Sequence, residues 1–238
     1  MVLHFCPRGD LFNLVLGGPL QEEHARQIME GTLSALAHIH SMRVVHRDVK
    51  PENILLESDG RAVLADFSVA ALLSEDSETL LQRCGTPGYI APEVLLGRGC
   101  TPKVDSFGAG GVLYFALSRE GPFRSSSLDG TIRRTLTKNV RFAKAPFTNI
   151  SASCKKLALA LLDKDPASRL EAASALADPW IEERESQARR FQPADVEAAE
   201  GAVAASGKRL HEDVQASCCC GMAHSAPCKH LLSELAVA

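Results

Sequence analysis

The stretch HRDVKPEN at residues 46–53 decides the fold, and it places an acid (Asp48), a base (Lys50) and an amide (Asn53) on one short segment. Before it, residues 21–41 have apolar side chains near helical spacing and two glutamates at the start, where the helix dipole favours them. After it, short apolar runs flank the turn residues Ser-Asp-Gly at 58–60, which is a β-hairpin signal. The polar segment is therefore predicted to be a loop between a long helix and a small hairpin.

Two further motifs follow the hairpin in a fixed order. Residues 66–68 read DFS, and residues 85–93 read GTPGYIAPE. From residue 103 to about residue 180 the pattern is helical, interrupted by glycine and proline. The sequence thus predicts a mainly α domain with a minor sheet. The order H-R-D-x-x-x-x-N, then D-F-x, then A-P-E is highly specific, although each motif alone could arise by chance.

Composition excludes several other classes of protein. The chain has 238 residues, 45% hydrophobic and 23% charged, with a net charge of -3, the balance of an ordinary soluble globular protein. This charge gives no indication of a nucleic-acid or membrane-surface protein, and no run approaches the ~20 apolar residues of a membrane span. The N-terminus lacks a secretory signal, and four cysteines are scattered singly as in a reduced protein, so we expect a cytoplasmic location.

The composition shifts near residue 186, which divides the chain into a folded region at 1–185 and a weakly structured tail at 186–238. The tail is rich in Ala, Ser, Gly and Glu, and it carries a cluster of thiols and imidazoles: Cys218, Cys219, Cys220, His224, Cys228 and His230. Zinc binding, lipidation and incidental cysteines in a disordered tail all remain open for this cluster. The incidental interpretation is favoured because the spacing matches no paired C-x-x-C array.

These motifs together resemble a eukaryotic protein kinase of the serine/threonine branch, most similar to the calcium/calmodulin-dependent and calcium-dependent group. The resemblance runs from residue 1 to about residue 184. It includes DSFGAG at 105–110, LDKDPASR at 162–169 and DPWI at 178–181. It implies the C-terminal lobe of the kinase fold, a helical bundle with a small β-hairpin.

The resemblance also implies phosphoryl transfer from ATP to protein hydroxyls. Asp48 would orient the attacking hydroxyl and accept its proton, and Lys50 would neutralise the γ-phosphate. Asn53 and Asp66 would hold Mg²⁺, which prefers oxygen ligands. Thr86 would bond Asp48 and Lys50 and shape the substrate site.

A second set of residues is expected to be structural. Glu93 would pair with Arg169, and Asp105 would brace the backbone of the 46–53 loop. His46 would stack with Phe67 in a core column rather than transfer protons.

Residues 1–12 resemble the connection between the two kinase lobes. Four residues would then border the adenine site: Leu3, Phe5, Cys6 and Leu55. Asp10 lies where the family has a ribose-contacting or substrate-contacting glutamate. With Glu52 it suggests protein substrates with basic residues N-terminal to the target hydroxyl, since carboxylates pair well with arginine.

The segment 69–83 follows the DFS motif, in which Ser68 replaces the family's glycine and is expected to restrict switching. This segment carries hydroxyls at Ser74, Ser77 and Thr79 among acidic residues. Arg47 could hold a phosphate there, but the acidic residues could already serve, and we favour constitutive acidity over a switch.

The glycine-rich loop and the lysine of the kinase N-terminal β lobe are not found before residue 46. The expectation is that this lobe is absent, that the chain is a fragment or a truncated gene model, and that apolar surface is left for a partner to cover. A catalytically inactive, kinase-like scaffold is the alternative function.

Overall fold

The computed structural model describes residues 4–74, 80, 82–142 and 145–182. The predicted tail from residue 186 lies outside them. The described residues are mostly helical, with two small antiparallel sheets. The helices are α1 (Leu11–Leu16), α2 (Glu22–Ser41), α3 (Pro92–Leu95), α4 (Lys103–Ser118), α5 (Leu128–Thr137), α6 (Ala152–Leu161), α7 (Ala172–Leu176) and α8 (Pro179–Glu182). The strands are β1 (Val44–Val45), β2 (Ile54–Leu56), β3 (Ala62–Leu64) and β4 (Ala71–Leu72), and short 3-10 turns cover Pro51–Asn53 and Phe147–Asn149.

The long helix predicted over residues 21–41 is confirmed as α2. Its apolar side, including Ile28, Leu33 and Leu36, is buried, and it packs against α4, α7 and β3. The helix ends at Ser41, and Arg43 then adopts a left-handed φ of 62° that turns the chain into β1. The end of α2 thereby fixes where the 46–53 loop begins.

Helix α4 lies at the centre of the domain and is buried along nearly its whole length. A helix that is apolar on all sides must be surrounded by protein, and α4 contacts α1, α2, α6 and α7. Near its start it also carries two buried polar residues, Asp105 and Ser106. The buried carboxylate of Asp105 faces the 46–53 loop.

The predicted hairpin is confirmed, with β2 paired to β3 in the register Leu55 to Val63. A second sheet was not predicted from the sequence. In it, β1 pairs antiparallel with β4, so that Val45 lies opposite Ala71. This pairing joins the start of the 46–53 loop to the segment that follows the DFS motif.

Helix α1 was also not predicted. Asp10 caps it, because its Oδ1 accepts a hydrogen bond at 2.7 Å from the backbone N–H of Asn13, a position where an aspartate stabilises a helix start. An isolated β-bridge between Asp10 and Leu55 ties this start to β2.

The C-terminal helices are fastened to α2 through Glu22. Its carboxylate accepts hydrogen bonds from the backbone N–H of Ser151 at 2.7 Å and from Nε1 of Trp180 at 2.7 Å. Burial tends to raise the pKa of Glu22, but the hydrogen bonds from Ser151 and Trp180 outweigh it, so the pKa lies below the ordinary value. Glu22 therefore stabilises the packing of α8 as an anion.

The cysteines Cys6, Cys84, Cys100 and Cys154 are buried thiols, as the sequence predicts. Burial raises the pKa of Cys100 to about 12, so it remains a protonated thiol near neutral pH. None of the described helices is long and apolar enough to cross a membrane.

Candidate active site

Asp105 of α4 holds the 46–53 loop through hydrogen bonds to the loop backbone. Its Oδ2 accepts a hydrogen bond from the backbone N–H of His46 at 2.8 Å, and its Oδ1 accepts one from Arg47 at 2.7 Å. His40 of α2 places Nε2 2.8 Å from the same carboxylate. Arg47 has a left-handed φ of 69°, a conformation that costs energy outside glycine and persists where surrounding contacts impose it. Asp105 supplies those contacts, as the resemblance implies.

Both ring nitrogens of His46 take part in hydrogen bonds. Nε2 lies 2.9 Å from the carbonyl oxygen of Ala65, and Nδ1 accepts a hydrogen bond from the backbone N–H of Asp48 at 3.3 Å. A carbonyl oxygen can only accept, so Nε2 is the donor in the hydrogen bond to Ala65. His46 therefore links the 46–53 loop to the residue before Asp66, which fits the structural role expected of it.

Asp48, Lys50 and Thr86 form a closed triangle. The Thr86 hydroxyl donates to Asp48 Oδ1 at 2.7 Å and accepts from Lys50 Nζ at 3.0 Å, while Lys50 Nζ lies 2.8 Å from Asp48 Oδ2. The side chains of Asp48 and Lys50 are 12% and 21% exposed, so the ion pair is mostly buried but still reachable from solvent. The structure thus brings together three residues that lie up to 38 positions apart.

Asn53 and Asp66 lie next to this triangle. The Asn53 side-chain amide donates to the carbonyl oxygen of Asp48 at 2.9 Å, which leaves the Asn53 amide oxygen available as a ligand. The Asn53 carbonyl oxygen accepts from the backbone N–H of Ala65, so the residue before Asp66 is tied to the 46–53 loop. Asp66 has a left-handed φ of 61°. An amide and a carboxylate at adjoining backbone positions fit the oxygen preference of Mg²⁺.

The charge on Asp66 is stabilised by its neighbours. A side-chain hydrogen bond from Ser68 is the main cause that lowers the pKa of Asp66, and the positive charge of Lys50 acts in the same direction. The Ser68 backbone N–H also lies 3.2 Å from Asp66 Oδ1. The residue that departs from the family pattern is therefore a hydrogen-bond partner of the carboxylate, a contact that sequence reasoning missed.

Phe67 corrects one expectation. It contacts His46 edge to face, with ring centroids 4.9 Å apart, but it is 46% exposed and so does not belong to a core column. The neighbouring His46 is fully buried.

Arg47 extends toward the segment that follows the DFS motif. Its Nε donates to the carbonyl oxygen of Val69 at 2.6 Å and its Nη1 lies 3.3 Å from Gln82 Oε1. These contacts hold both ends of the segment. Residues 75–79, which include the predicted Ser77 and Thr79, lie outside the described residues.

Glu52 lies close to the triangle of Asp48, Lys50 and Thr86, and its pKa is raised. Burial raises its pKa, the charges of Asp10 and Asp48 add to this, and Lys50 counteracts them. Among the described residues Glu52 Oε2 is buried without a hydrogen-bond partner. It borders a cavity of about 670 Å³ that is lined by residues of α1, α4 and α5. Arg119 and Arg124 line the same cavity. A buried, unpaired carboxyl oxygen at a cavity wall is suited to accept hydrogen bonds from a ligand.

The residues expected around adenine differ in their exposure. Phe5 is 79% exposed, Cys6 is buried, and Leu55 is half-buried in β2. Leu3 lies outside the described residues. Asp10 uses both carboxylate oxygens on Asn13, since Oδ2 accepts from Asn13 Nδ2 at 2.8 Å. Its first role is therefore to cap α1.

The expected ion pair between Glu93 and Arg169 is present and buried. The guanidinium donates two hydrogen bonds, Nη1 to Glu93 Oε1 at 2.5 Å and Nη2 to Oε2 at 2.8 Å. The carbonyl oxygens of Asp163, Lys103 and Lys164 accept further hydrogen bonds from Arg169. All five N–H donors of the guanidinium are thus used, which is the condition under which a buried ion pair is tolerated.

Comparison with known proteins identifies the class. A model of the protein kinase domain matches residues 1–181, more than half of the chain. The chain therefore belongs to the protein kinase family.

Individual relatives agree with this assignment. The chain is 37% identical over 183 residues to CBL-interacting serine/threonine-protein kinase 24 of Arabidopsis thaliana, covering 76% of this chain and 40% of the relative. It is 34% identical over 197 residues to the calcium/calmodulin-dependent protein kinase cmkA of Emericella nidulans, covering 81% and 48%. Human serine/threonine-protein kinase H1 is 31% identical over 186 residues, covering 76% and 44%. The chain thus spans less than half the length of these relatives.

Proposed function

We propose that this chain is the C-terminal lobe of a serine/threonine protein kinase that transfers the γ-phosphate of ATP to protein hydroxyls. The observation that carries the proposal is the triangle of Asp48, Lys50 and Thr86. A carboxylate held in a fixed orientation and still partly exposed to solvent can orient a substrate hydroxyl and accept its proton. A lysine bonded to the same threonine can neutralise phosphate charge.

Asn53 and Asp66 would hold Mg²⁺. When bound, the metal neutralises charge on the phosphate oxygens. The chain's own contribution is to keep both ligands in place: Asp48 orients the Asn53 amide through its carbonyl oxygen, and Ser68 keeps Asp66 ionised.

The full chain, supplied with Mg²⁺-ATP and a peptide rich in basic residues, tests this function. Asp48→Asn removes the proton acceptor and keeps the side-chain size, so we expect phosphate transfer to fall by about 100-fold or more. Glu30→Gln, an exposed change on α2, is the matched control and should leave the rate unchanged. Equal rates for Asp48→Asn and the wild-type chain would contradict the proposal.

Substrates with basic residues are the finer part of the proposal. The support is the buried, unpaired Oε2 of Glu52 together with the nearby charge of Asp10. Arg119 and Arg124 also line this cavity, and their positive charges repel a cation. A substrate arginine is therefore expected close to Glu52 rather than close to these two residues. A charge-assisted hydrogen bond would then favour arginine over alanine in the substrate.

The contribution of Glu52 to substrate recognition can be measured from the preference for arginine-containing peptides. In Glu52→Gln, we expect the ratio of kcat/KM for arginine-containing over alanine-containing peptides to fall by about tenfold. The rate with the alanine peptide should change little, and Glu30→Gln should retain the full ratio. A ratio unaffected by Glu52→Gln would exclude this role and leave phosphate transfer untouched.

Exposed aromatic surface favours a second candidate, a kinase-like scaffold. Phe5 and Phe67 are 79% and 46% exposed, and such apolar surface is typical of a contact with another protein. A partner that covers either side chain fits both functions. If the wild-type chain transfers no phosphate to any tested peptide, the scaffold replaces the enzyme.

A further inference from the structure

Three side chains able to ligate a metal meet outside the site described so far. His4 Nε2 lies 2.8 Å from Glu57 Oε1, and Cys6 Sγ lies 3.8 Å from the same oxygen. The three ligand atoms are all within 4.8 Å of one another. The cluster therefore combines an imidazole, a thiol and a carboxylate, three groups that zinc sites use.

Backbone pairing brings two of these ligands together. The N–H of Arg8 donates to the carbonyl oxygen of Leu56 at 3.2 Å, and the Leu56 N–H donates to that of Gly9 at 2.8 Å. A tight turn, closed by the Gly9 N–H on the Cys6 carbonyl oxygen, then returns the chain toward the end of β2. Glu57 is the next residue there. The thiol and the carboxylate are thus held near each other by contacts that do not depend on a metal.

The geometry requires little adjustment. Ligand bonds of about 2.0–2.3 Å in a tetrahedral zinc site place neighbouring ligand atoms about 3.3–3.8 Å apart. The distance from Cys6 Sγ to Glu57 Oε1 already lies at the upper end of that range. The distance from His4 to Glu57 must lengthen slightly, and the His4 side chain, 75% exposed, is free to do so. Exposure of His4 also leaves a fourth position open to water.

The ligand set selects the kind of metal. A thiolate and an imidazole suit Zn²⁺, whereas Mg²⁺ prefers oxygen ligands such as those of Asn53 and Asp66. The nearby guanidinium of Arg61 is paired with Asp59 at 2.7 Å, which compensates its charge.

We propose that His4, Cys6 and Glu57 bind a zinc ion where the N-terminal segment meets the β2–β3 hairpin. Binding forms a bond from Cys6 sulfur to zinc and releases the thiol proton to solvent. The contact between His4 and Glu57 is replaced by bonds from both side chains to the metal. The proposal does not depend on phosphate transfer.

Zinc titration of the full chain against a chromophoric chelator tests the site. Cys218, Cys219, Cys220 and Cys228 are first replaced by serine, because thiols of the tail can also bind zinc. In this background we expect one zinc per chain. Cys6→Ser and Glu57→Gln should each weaken zinc binding by about tenfold or more, since even residues that only support metal ligands contribute at this level.

Matched variants and a second metal sharpen the result. His38→Asn and Glu30→Gln change exposed residues of α2 and should leave zinc affinity unchanged. Co²⁺ should give a thiolate charge-transfer band that Cys6→Ser abolishes. Circular dichroism confirms that each variant is folded. Absence of zinc binding in the serine background, or unchanged affinity in Cys6→Ser, would show that His4 and Glu57 form an ordinary ion pair.

Discussion

At the scale of single residues, the hydroxyl of Thr86 connects the acid to the lysine. It donates to Asp48 and accepts from Lys50, so both charged groups share one neutral partner. A hydroxyl that serves as donor and acceptor at once adds a second link between two side chains that already form a direct ion pair at 2.8 Å, and so helps to fix the orientation of both.

This predicts the effect of removing the hydroxyl alone. Thr86→Val keeps the shape of the side chain, and we expect kcat to fall by about tenfold because Asp48 loses its orienting hydrogen bond. Thr86→Ser keeps the hydroxyl and is the control. Steady-state phosphorylation of a basic peptide measures both variants, and a Thr86→Val enzyme as fast as Thr86→Ser would oppose this role.

The sequence indicated several of these contacts, but others required coordinates. The pairing of Thr86 with Asp48 and Lys50 followed from the resemblance. The contacts of His40 with Asp105 and of Ser68 with Asp66 did not, because the helical pattern of residues 21–41 does not single out His40 and Ser68 is interpreted only as a restriction on switching. Both signals were present as polar residues at positions where the pattern expects none.

At the scale of elements, the close approach of α4 to the 46–53 loop depends on Gly108. A Cβ at this position would lie 2.7 Å from the carbonyl oxygen of Val49, next to Asp48. Only a hydrogen atom fits at this position, because the Val49 carbonyl oxygen belongs to the 46–53 loop that Asp105 holds in place. The active-site floor is thus built directly on the helix surface.

Two glycines of α4 provide a comparison. Both Gly108→Ala and Gly111→Ala gain helix propensity of up to about 1 kcal/mol. The Cβ at Gly111 would meet the Tyr89 ring at 2.9 Å, and a ring can tilt. We therefore expect Gly108→Ala to lower the free energy of unfolding by about 1–3 kcal/mol, and by more than Gly111→Ala. Urea denaturation measures both, and the reverse order would contradict the argument.

Elements with local signals were predicted, and those without them were not. Helix α2 and the β2–β3 hairpin carry periodicity and turn residues within a few positions. Helix α1 has six residues, too few for a clear period. The pairing of β1 with β4 joins two-residue strands far apart in sequence, and only the packed domain brings them together. Short, non-local elements depend on tertiary contacts rather than on pattern.

At the scale of the whole molecule, stability depends on pH through Lys164. Burial, with a further contribution from Arg169, lowers the pKa of Lys164 from 10.5 to about 8. Its Nζ lies 4.3 Å from the centre of the Phe123 ring. Between pH 8 and 10.5 the unfolded chain therefore binds a proton that the folded chain has released, so the cost of burying Lys164 declines and the free energy of unfolding rises with pH in this range.

A substitution isolates this contribution. Lys164→Met keeps the length of the side chain and removes the proton, so the stability of the wild-type chain relative to the variant should rise from pH 8 to pH 10. Thermal or urea unfolding of both proteins at each pH gives the difference. Taking the difference also cancels the opposite trend of Cys100, whose raised pKa reduces stability above pH 9. A difference independent of pH would show that Lys164 titrates normally.

The hydrogen bonds of Glu22 have a consequence for folding during synthesis. Trp180 is fully buried, and its indole completes the hydrogen bonding of a carboxylate 158 residues earlier. On the ribosome, α2 emerges long before Trp180 exists, and until then its first turn holds a carboxylate without its final partner. Because chains are made at about 5–20 residues per second, we expect this helix to wait many seconds for closure. The native contact between α2 and α8 can therefore form only after Trp180 has been synthesised.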